Sequence, residues 1–404
     1  MRRISTTGFR IARRGTSREI NRQIALNLVR SKQPISRADL ARLMGVRRGA
    51  VSRLVDELMR SGLVFEGAKG QSKRGRKPVH LYIETRRSCV LAADISASRI
   101  AVMVTDLMGH PLMEVREFPT RRRPAAMVKD LSAKLRAILD EHPEFGACMG
   151  LGVVVSGMVD LDGRRLRYSP TLGWRDVDIL EPLRAAMKLP VVVENSVKAC
   201  VLAQVWAVRG DPAVDGPVAF INVSDGVAVG IAIDGKLLRG AHNIAGEFGH
   251  VPLDVNGPSC SCGQKGCWEA YVSKRAVIAR YLGTDPSWAG ETLPKGATVE
   301  SIIGRARGGE ARAIETLRET GRYLGRGFAT VVKAIDPRRV YLGGEITAAW
   351  DLMAPAARAA LREHALIREA GETEILTVPV EEHPRLRGAA ALVNTPAFAA
   401  PIVA

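Results

Sequence analysis

The 404-residue chain has no long apolar run. Its most hydrophobic stretch, residues 191–208, is interrupted by Glu194 and Lys198, and the alanine-rich end after Arg387 by Asn394, Pro396 and Pro401. Neither approaches the roughly 20 apolar residues that a membrane helix needs. Cysteine is scarce: six residues in 404 are no disulfide framework, and three of them fall within eight positions. Acidic residues are missing from the first 18 positions, and across residues 1–88 they number 6 against 22 Lys+Arg. That segment carries +16 of the formal +17, which leaves +1 for the other 316 residues. A uniformly basic enzyme does not divide in this way. A neutral body with one basic head points to a polyanionic partner, double-stranded DNA above all, because clustered Lys and Arg are the electrostatic footprint of nucleic-acid binding.

The head reads as three helices and a hairpin. Ile20, Ile24 and Leu28 recur every fourth residue and mark a first helix. Ser36-Arg37-Ala38-Asp39 has the form of a capping box, Asp39 reaching back to the cap, with Leu40 and Leu43 as the inward side of a short second helix. Met44-Gly45-Val46 supplies a turn. A third helix over 47–60 turns Val51, Leu54, Val55 and Leu58 inward and stops at Gly62. This is helix-turn-helix spacing, and its last helix is the one that enters a major groove. The outward residues at its start are Arg47, Arg48, Gly49, Ser52 and Arg53; Arg is the commonest reader of guanine. Strands over 63–65 and 79–83 flank a glycine-rich loop with Lys73, Arg74, Arg76 and Lys77, the wing of a winged helix, narrow and cationic enough for a minor groove. Arg37 completes the expected DNA-facing set.

Beyond residue 87 strands alternate with helices. Strands are expected over 90–95, 100–106 and 111–118, a helix over 125–141, then strands over 150–155 and 191–194, a hairpin over 218–233 and a strand over 340–342. This pattern gives an α/β body large enough for two lobes, without an internal repeat of 20–50 residues. Its sharpest chemical signal is His250-x9-Cys260-x-Cys262-x4-Cys267, a Cys₃His set suited to a closed, structural Zn²⁺ site in a reducing compartment. Four protein ligands leave no position for an activated water, so the ion shapes its surroundings and performs no chemistry.

Gly246-Glu247-Phe248-Gly249-His250, with the cysteine cluster ending in Trp268-Glu269, resembles the signature of the ROK family (repressors, open reading frames, sugar kinases). The resemblance covers nearly the whole chain, and residues 18–83 are similar to the head of the family's repressor branch, that of the xylose and N-acetylglucosamine repressors. It implies an N-terminal winged helix-turn-helix followed by an α/β actin-like (ribonuclease H-like) two-lobed body. The expected boundaries are a basic arm over 1–17, the head over 18–86 and a sensing body over 87–404. Within the body, lobe one is about 87–198 with 382–404, and lobe two is about 199–381 with the zinc site. Carried over residue by residue, Glu247, His250 and Glu269 match positions that hold sugar hydroxyls, His250 serves both ion and sugar, and Asn195, which matches the Asn preceding the kinases' catalytic Asp, completes the expected ligand-binding set. The resemblance also implies a cytoplasmic homodimer or homotetramer with a small carbohydrate effector.

Departures from the family pattern separate sensor from enzyme. Family kinases carry Asp-x-Gly-Gly-Thr where this chain has Asp94-Ile95-Ser96-Ala97-Ser98, and Gly-Thr-Gly-x-Gly where it has Ser224-Asp225-Gly226-Val227-Ala228. The first segment lacks both glycines that let backbone approach phosphate, and in the second Asp225 sets a negative charge beside it. The kinases' Asn-Asp pair reads Asn195-Ser196, so the general base, a contribution of typically about 10²–10⁴-fold, is missing. The sequence therefore points to a carbohydrate-responsive repressor with no catalytic residues. Its rivals are a kinase with an attached DNA-binding head and a constitutive DNA binder whose body only dimerises. Ser196 and Thr171 shift the expected ligand towards a less common sugar, a derivative or a polyol.

Overall fold

The computed structural model describes residues 16–69, 77–207, 216–284 and 296–398. The head packs α1 (Thr16–Lys32), α2 (Arg37–Met44) and α3 (Arg48–Arg60) with a sheet of β1 (Ile35–Ser36), β2 (Val64–Lys69) and β3 (Val79–Ile83) in the order β1-β3-β2. Ser36 caps α2: its hydroxyl accepts the Asp39 N–H at 3.1 Å and donates to the Asp39 carboxylate at 2.6 Å. Gly45 closes α2 in the left-handed conformation at φ 66°, as the turn requires. On α3 the inward face is the expected Val51, Leu54, Val55 and Leu58, each worth about 1.5–3 kcal/mol of burial.

Two apolar assignments in the head shift. Ala25, Leu26 and Val29 face inward on α1, while Ile24 is 43% exposed; α1 turns this face because it packs on α3 and also on the body. On α2 Leu40 and Ala41 are buried and Leu43 is 54% exposed.

Among the described residues the body has two five-stranded sheets. The first joins β4 (Ser88–Ile95), β5 (Arg99–Thr105), β6 (Arg116–Pro119), β7 (Ala147–Val155) and β11 (Val191–Asn195) in the order β11-β7-β4-β5-β6. Between its strands lie α4 (Pro124–Glu141), a small sheet of β8 (Met158–Val159), β9 (Arg165–Ser169) and β10 (Trp174–Asp178), and α5 (Leu180–Met187). After α6 (Ser196–Ala207) comes the second sheet. It joins β12 (Pro217–Val223), β13 (Val227–Ile233), β14 (Lys236–Leu237), β15 (Arg339–Gly343) and β16 (Glu374–Thr377) in the order β14-β13-β12-β15-β16. Numbered within each sheet, both orders are 3-2-1-4-5, with antiparallel pairing on one side of the first strand and parallel pairing on the other. The sequence carries no repeat, but the backbone does: the two halves keep one topology while their side chains have diverged. The strand expected over 111–118 shortens to β6, preceded by a single bridge from Pro111 to Thr105.

Helices α7 (Glu269–Val272), α8 (Lys274–Leu282), α9 (Val299–Arg307), α10 (Ala311–Ile335), α11 (Trp350–His364) and α12 (Arg368–Gly371) belong to the second half. The chain then returns: α13 (Pro384–Phe398) lies on β7, β4 and α6 of the first. Helix α6 is buried on all sides, from Val197 and Val201 against the second sheet to Ala199 and Leu202 against α13 and the first.

Close backbone contact seats α13. A Cβ built on Gly152 of β7 meets the Ala389 carbonyl oxygen at 1.8 Å. Gly152→Val is therefore expected to lift α13 from the sheet and cost about 3 kcal/mol, the upper end for overpacking. Thermal unfolding of the full chain checks this, and an unchanged Tm contradicts the packing.

Candidate functional site

The parallel strands of both sheets end on one side, and the candidate site gathers there, as ligand sites in open α/β sheets do. Strand β4 ends at Asp94-Ile95, β7 leads into Ser156-Gly157, β11 ends at Asn195, and β12 ends before Ser224-Asp225-Gly226. Asn195 caps α6: its Oδ1 accepts the N–H groups of Val197 (2.9 Å) and Lys198 (3.2 Å), and its Nδ2 donates to the Gly157 carbonyl at 2.8 Å. One amide hydrogen is left for a ligand. Ser169 donates to the Ser156 carbonyl at 2.5 Å and braces the same turn.

The loop with Glu247 and His250 is pressed onto β13. A Cβ on Gly246 (φ 103°) or Gly249 falls 1.9 Å and 2.1 Å from the carbonyl oxygens of Val229 and Val227, so only glycine fits either place. Glu247 is half-buried, and its carboxylate has no hydrogen-bond or ion partner among the described residues. Burial pushes its pKa up, against the pull of His250 and Lys198. A carboxylate placed so is an acceptor waiting for hydroxyl donors. Glu269 is engaged differently: Oε2 accepts the Val227 N–H at 2.9 Å and Oε1 accepts the Ser261 hydroxyl at 3.1 Å. It ties the cysteine loop to the β12–β13 turn and holds any ligand only through its remaining lone pairs.

His250, Cys260, Cys262 and Cys267 come together as a group whose ligand atoms all lie within 4.8 Å of one another. His250 Nδ1 is 3.6 Å from Cys260 Sγ, and Cys262 Sγ is 3.6 Å from Cys267 Sγ. The tetrahedral edge implied by Zn–S bonds of about 2.3 Å is about 3.8 Å, so the donors fit a tetrahedral ion. With Nδ1 turned to the cysteines, Nε2 of His250 is the nitrogen available to a neighbour.

The sequence reading missed a set of ionic contacts around this cleft, from buried to exposed. Lys198 is 4% exposed and donates to Asn243 through both the carbonyl oxygen (2.5 Å) and Oδ1 (2.7 Å); burial draws its pKa down against Glu194 and Glu247. Arg239 pairs with Glu194 at 2.7 Å. Lys274 bridges Asp225 (3.0 Å) and Glu345 (3.3 Å), and Arg385 lies 3.3 Å from Asp94 while donating to the Ser156 hydroxyl. Burial raises the Asp94 pKa, opposed by Arg385. For Lys274 burial works downward, but Glu345 and Asp225 outweigh it and the pKa rises. Arg385 and Lys274 thus reach the turns at Asp94 and Asp225, the two segments whose sequences depart from the kinase pattern. The only signals in the sequence were the isolated acids Asp94, Asp225 and Glu345, whose partners lie far along the chain.

In the head, Arg47, Arg48 and Arg53 are exposed, and Arg47 stands at the start of α3 with no side-chain cap. The first N–H groups of the helix point the same way, a ready phosphate site. Ser52 is half-buried and Lys77 is exposed; Lys73, Arg74 and Arg76 lie outside the described residues. Arg37 is placed otherwise than expected. Its guanidinium pairs with Asp56 and Glu66, both at 2.8 Å, and donates to the Ser52 carbonyl at 3.2 Å. It clasps α2, α3 and β2 together instead of facing solvent.

Two comparisons decide the lineage. The ROK family pattern matches residues 90–396, and the MarR family pattern matches residues 13–75. The chain belongs to the ROK family. It is 28% identical to the xylose repressor of Bacillus subtilis over 331 residues, 81% of this chain and 83% of that one. It is 24% identical to the DNA-binding transcriptional dual regulator NagC of Escherichia coli over 381 residues, 93% of each. A ROK family transcriptional regulator, a homologue of the E. coli MLC protein, superposes with a TM-score of 0.78 at 23% identity, over 95% of this chain and 97% of that one. A ROK glucokinase from Streptomyces griseus, in complex with glucose and AMPPNP, superposes at 0.63 with 26% identity over 75% and 98%. The fold is thus a MarR-like winged helix joined to an actin-like ROK body, and the kinase shares only the body.

Cys262→Ser is expected to lower the metal bound per chain and to destabilise the cysteine loop. Native mass spectrometry reads the metal directly, and unchanged content contradicts the assignment.

Proposed function

We propose that this ROK protein is a carbohydrate-responsive DNA-binding repressor without sugar kinase activity. The observation that carries the reading is the joining of a winged helix, with Arg47, Arg48 and Arg53 exposed on α3, to a body whose turns at Asp94 and Asp225 are spanned by its own ion pairs. The names of its relatives, a xylose repressor and a transcriptional regulator, support the same reading. Ser196, 9% exposed where the kinases have their base, removes the group that would take a hydroxyl proton.

In this account Arg47, Arg48, Ser52 and Arg53 face the major groove, and Lys73, Arg74, Arg76 and Lys77 the minor groove. Glu247, His250, Asn195 and the outer lone pairs of Glu269 receive hydroxyls, and a buried site built to bond hydroxyls discriminates strongly against ligands lacking them. Zinc in the Cys₃His set is structural and fixes the His250 ring, as a metal-bound imidazole is fixed by its second nitrogen's partner. The protein acts in the cytoplasm as a homodimer or homotetramer, the symmetry that paired operator half-sites demand. Among the described residues no helix is long and apolar enough to cross a membrane.

Three measurements test the proposal. In a coupled ATP assay over a sugar panel the protein is expected to show no turnover; sugar-dependent turnover lost in Glu247→Ala would refute it. In a thermal-shift screen at least one carbohydrate raises Tm, since a ligand of the native state alone adds apparent stability; a flat response over a broad panel leaves the body a dimerisation platform only. Arg47→Ala or Arg48→Ala is expected to weaken binding to selected DNA by about 1–3 kcal/mol relative to random DNA. Equal loss on both sequences assigns that arginine to phosphate.

A further inference from the structure

The head and the cleft share one apolar cluster. It runs from Leu26 and Val29 of α1, through Trp206 of α6 and Phe398 of α13, to Leu386 of α13 and Ala92 of β4, two residues before Asp94. Helix α13 touches both ends. At its start Arg385 donates to Ser156 Oγ and sits 3.3 Å from Asp94 Oδ1, and the next residue after Ser156 holds the Asn195 amide. At its end the Phe398 carbonyl accepts a hydrogen bond from Asn27 of α1 at 2.8 Å, and the Phe398 ring meets Trp206 edge-on at 5.2 Å. Arg30 of α1 stacks 3.3 Å over that Trp206 ring and donates to its carbonyl at 2.9 Å. Fifteen residues of helix place these two ends about 22 Å apart.

The rod is stiffly coupled to its neighbour yet imperfectly seated. A Cβ on Gly388 meets the Ala199 carbonyl oxygen at 2.3 Å, so the backbones of α13 and α6 touch and a movement of one displaces the other. Helix α6 runs from the Asn195 cap in the cleft to Trp206 under the head, the same route as α13. Towards the head end of α13, Asn394 is 2% exposed, and neither atom of its amide has a hydrogen-bond partner among the described residues. A buried amide without a partner among these residues costs free energy, so the present seat of α13 is less stable than a fully satisfied one.

We infer that α13 carries the state of the cleft to the DNA-binding head, and that Arg385 is the positioning residue through which the cleft is read. The inference rests on the repressor reading above and specifies its regulation. A hydroxyl-bearing ligand that takes the second amide hydrogen of Asn195, beside the turn at Ser156-Gly157, competes with Ser156 for the Arg385 guanidinium. Freed from the serine, Arg385 turns to the ligand, α13 reseats, and the anchorage of α1 on Phe398 and Trp206 changes with it. The ligand shifts the equilibrium because it contacts the two states differently.

The test compares full-length wild type, Arg385→Ala and Arg387→Ala. Arg387 is an exposed neighbour on the same helix whose guanidinium donates to the Glu382 carbonyl, and it serves as control. Hydrogen exchange by mass spectrometry, without ligand, is expected to show at least fivefold faster exchange over 25–33 and 200–207 in Arg385→Ala and wild-type rates in Arg387→Ala. With D-xylose, N-acetyl-D-glucosamine and D-glucose as probes, the sugar-induced change in affinity for selected DNA is expected to fall at least fivefold in Arg385→Ala only. Faster exchange confined to 94–96, 155–157 and 384–388, with an unchanged sugar response, overturns the inference. If Arg385→Ala does not fold, Asp94→Asn removes the other half of the clasp and is held to the same outcomes. A wild type that binds no DNA defeats the repressor reading, while the exchange data still decide whether cleft and head communicate.

Discussion

The burial of α6 between the two sheets is the constraint on which the rest of the structure depends. Ten of its twelve residues are buried, and they satisfy the second sheet on one side and α13 with the first sheet on the other. A helix in that position cannot turn or slide without disturbing both halves, because close-packed interiors rearrange between discrete packings and do not deform continuously. Its first turn is capped from the cleft by Asn195 and its last turn supports the head through Trp206. The sensing chemistry and the DNA-reading chemistry are therefore attached to one rigid element.

Electrostatics gives the cleft its specialisation. In a phosphate-binding fold, glycine-rich turns leave backbone N–H groups exposed to anions. Here the corresponding turns carry Asp94 and Asp225, and internal cations answer them from Arg385 and Lys274. A nucleotide entering would meet carboxylates already paired and would have to displace those cations. What stays open is Glu247, half-buried and without a partner among the described residues, an acceptor suited to neutral hydroxyls. The charge imbalance of the whole chain follows the same division: the reader is cationic and the sensor close to neutral.

Much of this was legible in the sequence, for reasons that are local. The inward face of α3, the Gly45 turn, the alternation of strands and helices and the Cys₃His spacing are all properties of short segments. The misread features are tertiary. Ile24 repeats at helical spacing with Ile20 and Leu28, but the face of α1 that is buried is set by its packing on α3 and β3 of the head and on α13 of the body. Arg37 resembled its exposed neighbours until Asp56 and Glu66, 19 and 29 residues away, claimed it. The pairing of Arg385 with Asp94 spans nearly 300 residues and leaves no periodic trace, and the duplicated sheet topology survives where sequence similarity between the halves has gone.

Linkage between two sites on one molecule is what makes a DNA-binding protein a sensor. The most direct measurement is the affinity of the full-length, metal-loaded protein for DNA selected from a random library, titrated with and without a carbohydrate that raises its Tm. Linkage requires that affinity to change at least fivefold, with a reciprocal change in carbohydrate affinity when DNA is bound. Identical DNA affinity at zero and saturating carbohydrate would contradict it.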